Sequence, residues 1–347
     1  MKNRQNFKGF KFFIFKRKLK TFMSKRKAYI KSCAVSEVIT VRLGGFDQKI
    51  SIEGQSKHLP VVIMIHGGPG SPIPFSVGCR GLFPEWTDKA IMVCWDQLGC
   101  GINNYKLDDS FHIEDFIGMT CDLVAHIKQR FPENKLYLFG ASWGSILALN
   151  TALRVPEKLD GAFAYGQVLK NLFFNDEVVR AFDNAPEKAR RTVQKIMETG
   201  TNCAYDVLTQ NLKSLYRLLS KYTNAYFNKN AKRAPIGRII FGLLTSPDYA
   251  FKDFRAVVKN GYAYNKTLWR ELLDIDLTPL LAQVKIKYLI WQGETDIATS
   301  TTNVIKAVEH CNNKNIGLKV IKNSGHMPSA EAMDECFRTF LTFPIID

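Results

Sequence analysis

Short apolar runs alternate with helical periodicities along most of the chain. Val61-Val62-Ile63-Met64-Ile65 and the stretch from Ala90 to Trp95 are unbroken apolar segments, the pattern of strands buried on both faces. Leu136 to Phe139, Gly161 to Tyr165, Ile286 to Trp291 and Gly317 to Ile321 repeat that type. Upstream, Glu37 to Leu43 and Phe46 to Glu53 flank Gly44-Gly45 and predict two antiparallel strands. Phe116, Ile117, Leu123, Val124, Ile127 and Phe131 keep helical spacing, which predicts a helix from about Ile113 to Arg130, with Ser110 as its N-cap. Ile146 to Leu153, Thr301 to His310 and Ala330 to Leu341 also read as helical. From Gln167 to about Leu273 the strands stop, and helical patterns rich in Lys, Arg, Asn and aromatics take over. Strands alternating with helices, interrupted once by a helical block, predict an α/β protein with a doubly wound, mostly parallel sheet and an inserted helical cap domain. The expected divisions are an N-terminal tail at 1–31, a core at 32–166 and 274–347, and a cap at 167–273. No internal repeat is present.

Charge alters this picture less than its total suggests. The chain has 347 residues and a formal net charge of +16, which would suit a nucleic-acid or membrane partner. Twelve of the Lys and Arg residues lie within 1–31, which hold no acidic residue, leaving 36 basic against 32 acidic residues elsewhere. The body is near neutral, so a nucleic-acid-binding domain is not expected. The tail interleaves Phe with Lys and Arg, and its longest uncharged apolar run, Phe12 to Phe15, is too short for a signal peptide. It is expected to be disordered, and Met23 is an alternative start that would make the first 22 residues foreign to the protein. Contact with an anionic membrane is the weaker alternative. The eight cysteines are scattered, with no C-x-x-C, and read as thiols of a reducing compartment. Cytoplasmic residence is the expectation.

The candidate chemistry lies at the ends of the predicted strands. Gly140-Ala141-Ser142-Trp143-Gly144 fits G-x-S-x-G between a strand and a helix, the setting of a nucleophile elbow. Glycines two residues either side of Ser142 keep Cβ atoms away from the neighbouring strand and helix. Serine needs a base, and the base needs an orienting carboxylate. The order nucleophile, acid, histidine is that of α/β-hydrolases. His326, in Ser324-Gly325-His326 after the last strand, is the candidate base, while His310 falls on a predicted helix. Asp296, on the loop after Ile286 to Trp291, is the candidate acid, with Glu294 as its nearby competitor. The backbone N–H of Trp143 and that of Gly68, in His66-Gly67-Gly68-Pro69-Gly70, are candidates for the oxyanion hole.

Three strings then make a resemblance specific. HGGPG at 66–70, WDQLGCG at 95–101 and GASWGS at 140–145 together resemble the proline iminopeptidase branch of the α/β-hydrolases, whose usual strings are HGGPG, DQRGxGxS and GGSWGS. The resemblance covers most of residues 35–166 and 275–345 and implies an α/β-hydrolase fold. Asp296 and His326 stand where that family's acid and base stand. It also implies release of N-terminal residues, often proline, from peptides without a metal or cofactor, with acidic cap residues holding the substrate's free amine. Leu98 replaces the Arg of DQRGxG, and Asn103 the Ser that follows. No cap stretch matches the family's aromatic-acidic substrate motif. Asp176, Glu177, Asp183 and Glu187 are acidic candidates there, on helical segments where charge is ordinarily a solvated face.

The expected function is therefore that of a serine aminopeptidase acting on short peptides through an acyl-enzyme on Ser142. The alternative is an esterase, amidase or other small-molecule hydrolase on the same scaffold, because the cap sets specificity. A catalytically silent binding protein is a third reading. Dehalogenase or epoxide hydrolase chemistry is disfavoured, because those enzymes place Asp at the elbow.

Overall fold

The computed structural model describes residue 17 and residues 19–342. Eight strands form one sheet in the order β1-β2-β4-β3-β5-β6-β7-β8. They are β1 (Val35–Leu43), β2 (Phe46–Gly54), β3 (Val61–Ile65), β4 (Ile91–Trp95), β5 (Leu136–Ala141), β6 (Gly161–Tyr165), β7 (Tyr288–Gly293) and β8 (Ile316–Ile321). β1 and β2 pair antiparallel, β2 joins β4 antiparallel, and every later pairing is parallel. β7 begins two residues later than the apolar run, because its ladder with β8 spans Tyr288↔Ile316 to Gly293↔Ile321.

Both faces of the central strands are covered, which explains their unbroken apolar runs. On one face Ile63, Ile65, Val93 and Leu138 pack with residues of helices α2 (Ile113–Arg130) and α3 (Trp143–Arg154). On the other, Val62, Met64, Met92 and Phe139 pack with Trp86 and Trp291. The expected helix over Ile113 to Arg130 is present, but its N-cap is His112, not Ser110. Asp108 takes the Ser110 amide at 3.0 Å in a local turn, and Asp115 accepts from the His112 amide at 2.8 Å.

Residues 19–32 form a helix, here α1, although the tail through residue 31 is expected from its sequence to be disordered. Arg26 on α1 is buried, so this part of the tail is packed structure. The expectations for residues 1–16 and 18 lie outside the described residues. Among the described residues no helix is long and apolar enough to cross a membrane.

Between β6 and β7 the chain runs through α4 (Glu187–Thr199), α5 (Tyr205–Tyr222), α6 (Ile236–Leu244) and α7 (Lys266–Asp274). The first two form a small core of their own: Val193 and Ile196 of α4 meet Leu215 and Leu219 of α5. Helices α8 (Thr301–Cys311) and α9 (Ala330–Thr342) complete the chain.

The parallel strand order reverses at β3. The chain steps from β3 to β4 on one side, then crosses to β5 on the other. The carboxyl ends of β3 and β5 therefore border the crevice where open α/β sheets bind ligands.

Candidate active site

Ser142 sits at the turn from β5 into α3 with φ 50° and ψ −117°, a conformation that L-residues rarely adopt. Its surroundings hold it there. The Ser142 amide donates to Tyr165 O at 2.8 Å, and Ser145 Oγ donates to Ser142 O at 2.6 Å. A Cβ on Gly144 would stand 2.3 Å from Ile65 O, and one on Gly140 would stand 2.4 Å from Gly144 O. Both flanking glycines are sterically required, as the motif predicts.

The structure brings Ser142, His326 and Asp296 together. Ser142 Oγ lies 3.0 Å from His326 Nε2, and His326 Nδ1 lies 2.9 Å from Asp296 Oδ2. Asp296 is fully buried and accepts from the amides of Ala298 at 2.9 Å and Thr299 at 3.1 Å, and from Thr299 Oγ1 at 2.7 Å. These bonds fix the carboxyl group in direction, with Oδ2 shared between Thr299 Oγ1 and the imidazole. With Nδ1–H committed to Asp296, Nε2 is free to accept the Ser142 proton. Glu294 is used elsewhere: its Oε2 accepts from the Asn323 amide at 3.0 Å. His310 ends α8 on the surface, as expected.

Other residues hold the His326 loop, and sequence reasoning did not find them. Tyr165 OH lies 2.7 Å from Ser324 Oγ and donates to Gly325 O at 2.9 Å. From the helical block, Ala225 O accepts from the His326 amide at 2.8 Å, and Tyr226 O from the Met327 amide at 2.9 Å. The Tyr226 ring lies 5.4 Å from the imidazole. Only Tyr165 carried a signal in the sequence, as a polar tip ending a buried strand.

The glycine loop after β3 lies against the nucleophile. A Cβ on Gly67 would stand 3.0 Å from Ala141 O and 3.4 Å from Ser142 Cβ. Gly68 has φ +128°, and a Cβ there would stand 2.6 Å from Gly70 N. His66 points inward, and burial lowers its pKa to about 4, so it is neutral. Of the two departures from the usual strings, Leu98 is buried in the apolar core. Asn103 donates to Asp96 O at 2.6 Å and to Lys49 O at 2.8 Å, which ties β2 to the loop after β4.

A cavity of about 590 Å³ opens at Ser142 and His326. Aromatic and aliphatic side chains from both core and helical block line it, among them Phe75, Phe139, Phe173, Phe227 and Trp269. Among the described residues no carboxylate lines it, and Lys213 of α5 is the one lysine or arginine that does. None of the four acidic candidates reaches it: Glu177 accepts from Ser300 Oγ at 3.0 Å, Glu187 pairs with Arg191 on the surface, and Asp176 and Asp183 are exposed.

Fold and site together define an α/β-hydrolase, and residues 60–332 match the family described as the alpha/beta hydrolase fold. The chain belongs to that family and is a hydrolase. The likeness to proline iminopeptidases is borne out by relatives at modest identity. Over 277 residues the chain is 26% identical to the Probable aminopeptidase YbaC of Bacillus subtilis, covering 77% of this chain and 82% of that one. It is 27% identical to a Proline iminopeptidase of Thermoplasma volcanium over 284 residues, covering 81% and 88%. The crystal structure of a proline iminopeptidase from Mycobacterium smegmatis superposes with a TM-score of 0.61 at 17% identity, covering 88% of this chain and 97% of the other.

Proposed function

We propose that the chain is a serine hydrolase that forms an acyl-enzyme on Ser142, and that its acyl substrate is small, apolar and without a free amine. Ser142 Oγ attacks the carbonyl carbon while its proton passes to His326 Nε2. Asp296 orients the imidazole and stabilises the imidazolium. The amides of Gly68 and Trp143 receive the oxyanion, each contributing about 3 kcal/mol to the transition state. His326 then protonates the leaving group, and water, deprotonated by the same nitrogen, releases the acid. No step calls for a metal or cofactor.

The observation that carries the substrate class is the lining of the cavity. An ammonium group buried there would need a carboxylate partner, and the lining has none among the described residues. Small esters and amides of apolar acids fit that chemistry. The second reading, an aminopeptidase releasing N-terminal residues such as proline, is favoured by the names of the relatives. The free thiols agree with a reducing compartment such as the cytoplasm.

A panel of short acyl esters and aminoacyl arylamides, with free and blocked N-termini, separates the two. The expected result is turnover of esters and blocked amides, with free-amine arylamides poor, and loss by a factor on the order of 10⁶ in Ser142→Ala. Preference for free-amine substrates would establish the aminopeptidase instead. Undiminished turnover by Ser142→Ala would remove the acyl-enzyme altogether.

A further inference from the structure

The two amides assigned to the oxyanion belong to segments far apart in sequence. Gly68 follows β3, and Trp143 opens α3 after β5. Their spacing must be set by something that touches both segments, and one fully buried side chain does so. Gln97, on the loop after β4, donates from Nε2 to His66 O at 3.0 Å and accepts at Oε1 from Trp143 Nε1 at 2.8 Å. The sheet order at this point is β4-β3-β5, so the side chain reaches across the end of β3 and ties three strand ends together. An indole N–H only donates and a carbonyl only accepts, so the two partners fix which way the amide faces.

The backbone of Gln97 adds a second grip. Its N–H donates to His66 Nε2 at 3.0 Å, which places the ring proton on Nδ1. Nδ1 then donates to Gly67 O at 2.9 Å. That carbonyl and the Gly68 N–H share one planar peptide unit and point in opposite directions. Holding the Gly67 oxygen on His66 therefore aims the Gly68 N–H away from the ring.

We infer that Gln97 is a positioning residue: it sets the separation and aim of the two oxyanion amides, through Trp143 on one side and His66 on the other. The inference rests on the acyl-enzyme reading above. Residues that space oxyanion donors matter only when charge develops on the carbonyl oxygen, so their loss is felt in the transition state and not in ground-state binding.

The test uses Gln97→Met, which fills the space but makes neither bond, and Gln97→Glu, which can accept from the indole but donates to His66 O only when protonated. Trp143→Phe removes the same bond from the other partner and must behave alike. Rates are measured on a p-nitrophenyl ester per active site titrated with a fluorophosphonate, so that unfolded protein is not counted. In the two variants lacking the indole bond kcat is expected to fall about 10- to 100-fold with KM within about twofold, and Gln97→Glu to fall less. Affinity for a trifluoromethyl ketone, which adds to serine and places an oxyanion in the hole, should fall in proportion to kcat/KM. Affinity for the product acid should not change. Unchanged kcat per titrated site, or equal weakening of ketone and acid, would overturn the assignment. Failure of the acyl-enzyme reading would appear separately, as ester turnover that survives Ser142→Ala.

Discussion

Ser142 and the glycines around it show how much of the site is decided by single positions. Ser142 holds a left-handed backbone only because β3, β6 and α3 close around it, and those contacts leave no room for a Cβ at Gly140 or Gly144. Two buried titratable groups nearby act in opposite senses on stability. Burial lowers His66 from 6.5 to about 4, so below about pH 6.5 the unfolded chain takes up a proton that the folded chain refuses, and stability falls with pH. Burial raises Asp96 from 3.8 to about 6, against the hydrogen bonds it accepts from Tyr249, Ile102 and Val77. Between pH 6 and 4 the folded chain therefore holds a proton there that the unfolded chain lacks, and stability rises as pH falls. The two slopes offset in the wild type. Asp96→Asn should expose the His66 slope, a loss of about 3 kcal/mol between pH 6.5 and 4, measured by urea unfolding across that range. At this scale the sequence was readable where a residue's chemistry is rare: Ser142, His326 and Asp296 were found from motif and order alone. It was misleading where the chemistry is common. Ser110 had the composition of an N-cap, yet Asp108 captured it in a turn.

Among the elements, α1 has the largest role that its composition concealed. Phe22 packs edge-on against Phe241 of α6 at 5.1 Å. Arg26 donates to three carbonyls, Gly78 and Gly242 from Nη and Arg80 from Nε, each at 2.7 Å. One side chain thus joins α1, α6 and the 77–80 segment of the core, and Ile236 at the start of α6 lines the cavity. Arg26→Ala should leave three carbonyls, two of them in buried contacts, short of a donor and cost about 3 kcal/mol. The expected signs are a lower Tm and faster proteolysis within residues 229–249, with the ester kcat of the folded fraction little changed. An unaltered Tm would show that the helix is dispensable. Twelve basic residues and no acidic ones read as a solvated tail because composition counts charges without locating them. The guanidinium that folds inward looks no different in sequence from the lysines that stay in water.

At the scale of the whole molecule, the cavity is a joint product of sheet and helical block. Lys213 of α5 is the one lysine or arginine lining it among the described residues, and a cation there repels a substrate ammonium. Lys213→Glu should raise kcat/KM for free-amine arylamides relative to esters by roughly 3-fold at low salt, and less as salt screens the exposed charge. Comparing the two substrate classes at two ionic strengths checks it. The sequence by itself determined the sheet, its doubly wound order, the elbow turn and the three residues, Ser142, His326 and Asp296, that meet there. Strand burial, G-x-S-x-G and chain order are local patterns with few physical solutions. Only the tertiary structure decided what lines the cavity, how α1 is used, and that Gln97 bridges His66 and Trp143. Those depend on side chains from distant segments converging, and amphipathic helices of the cap record which face is apolar without recording what that face will meet.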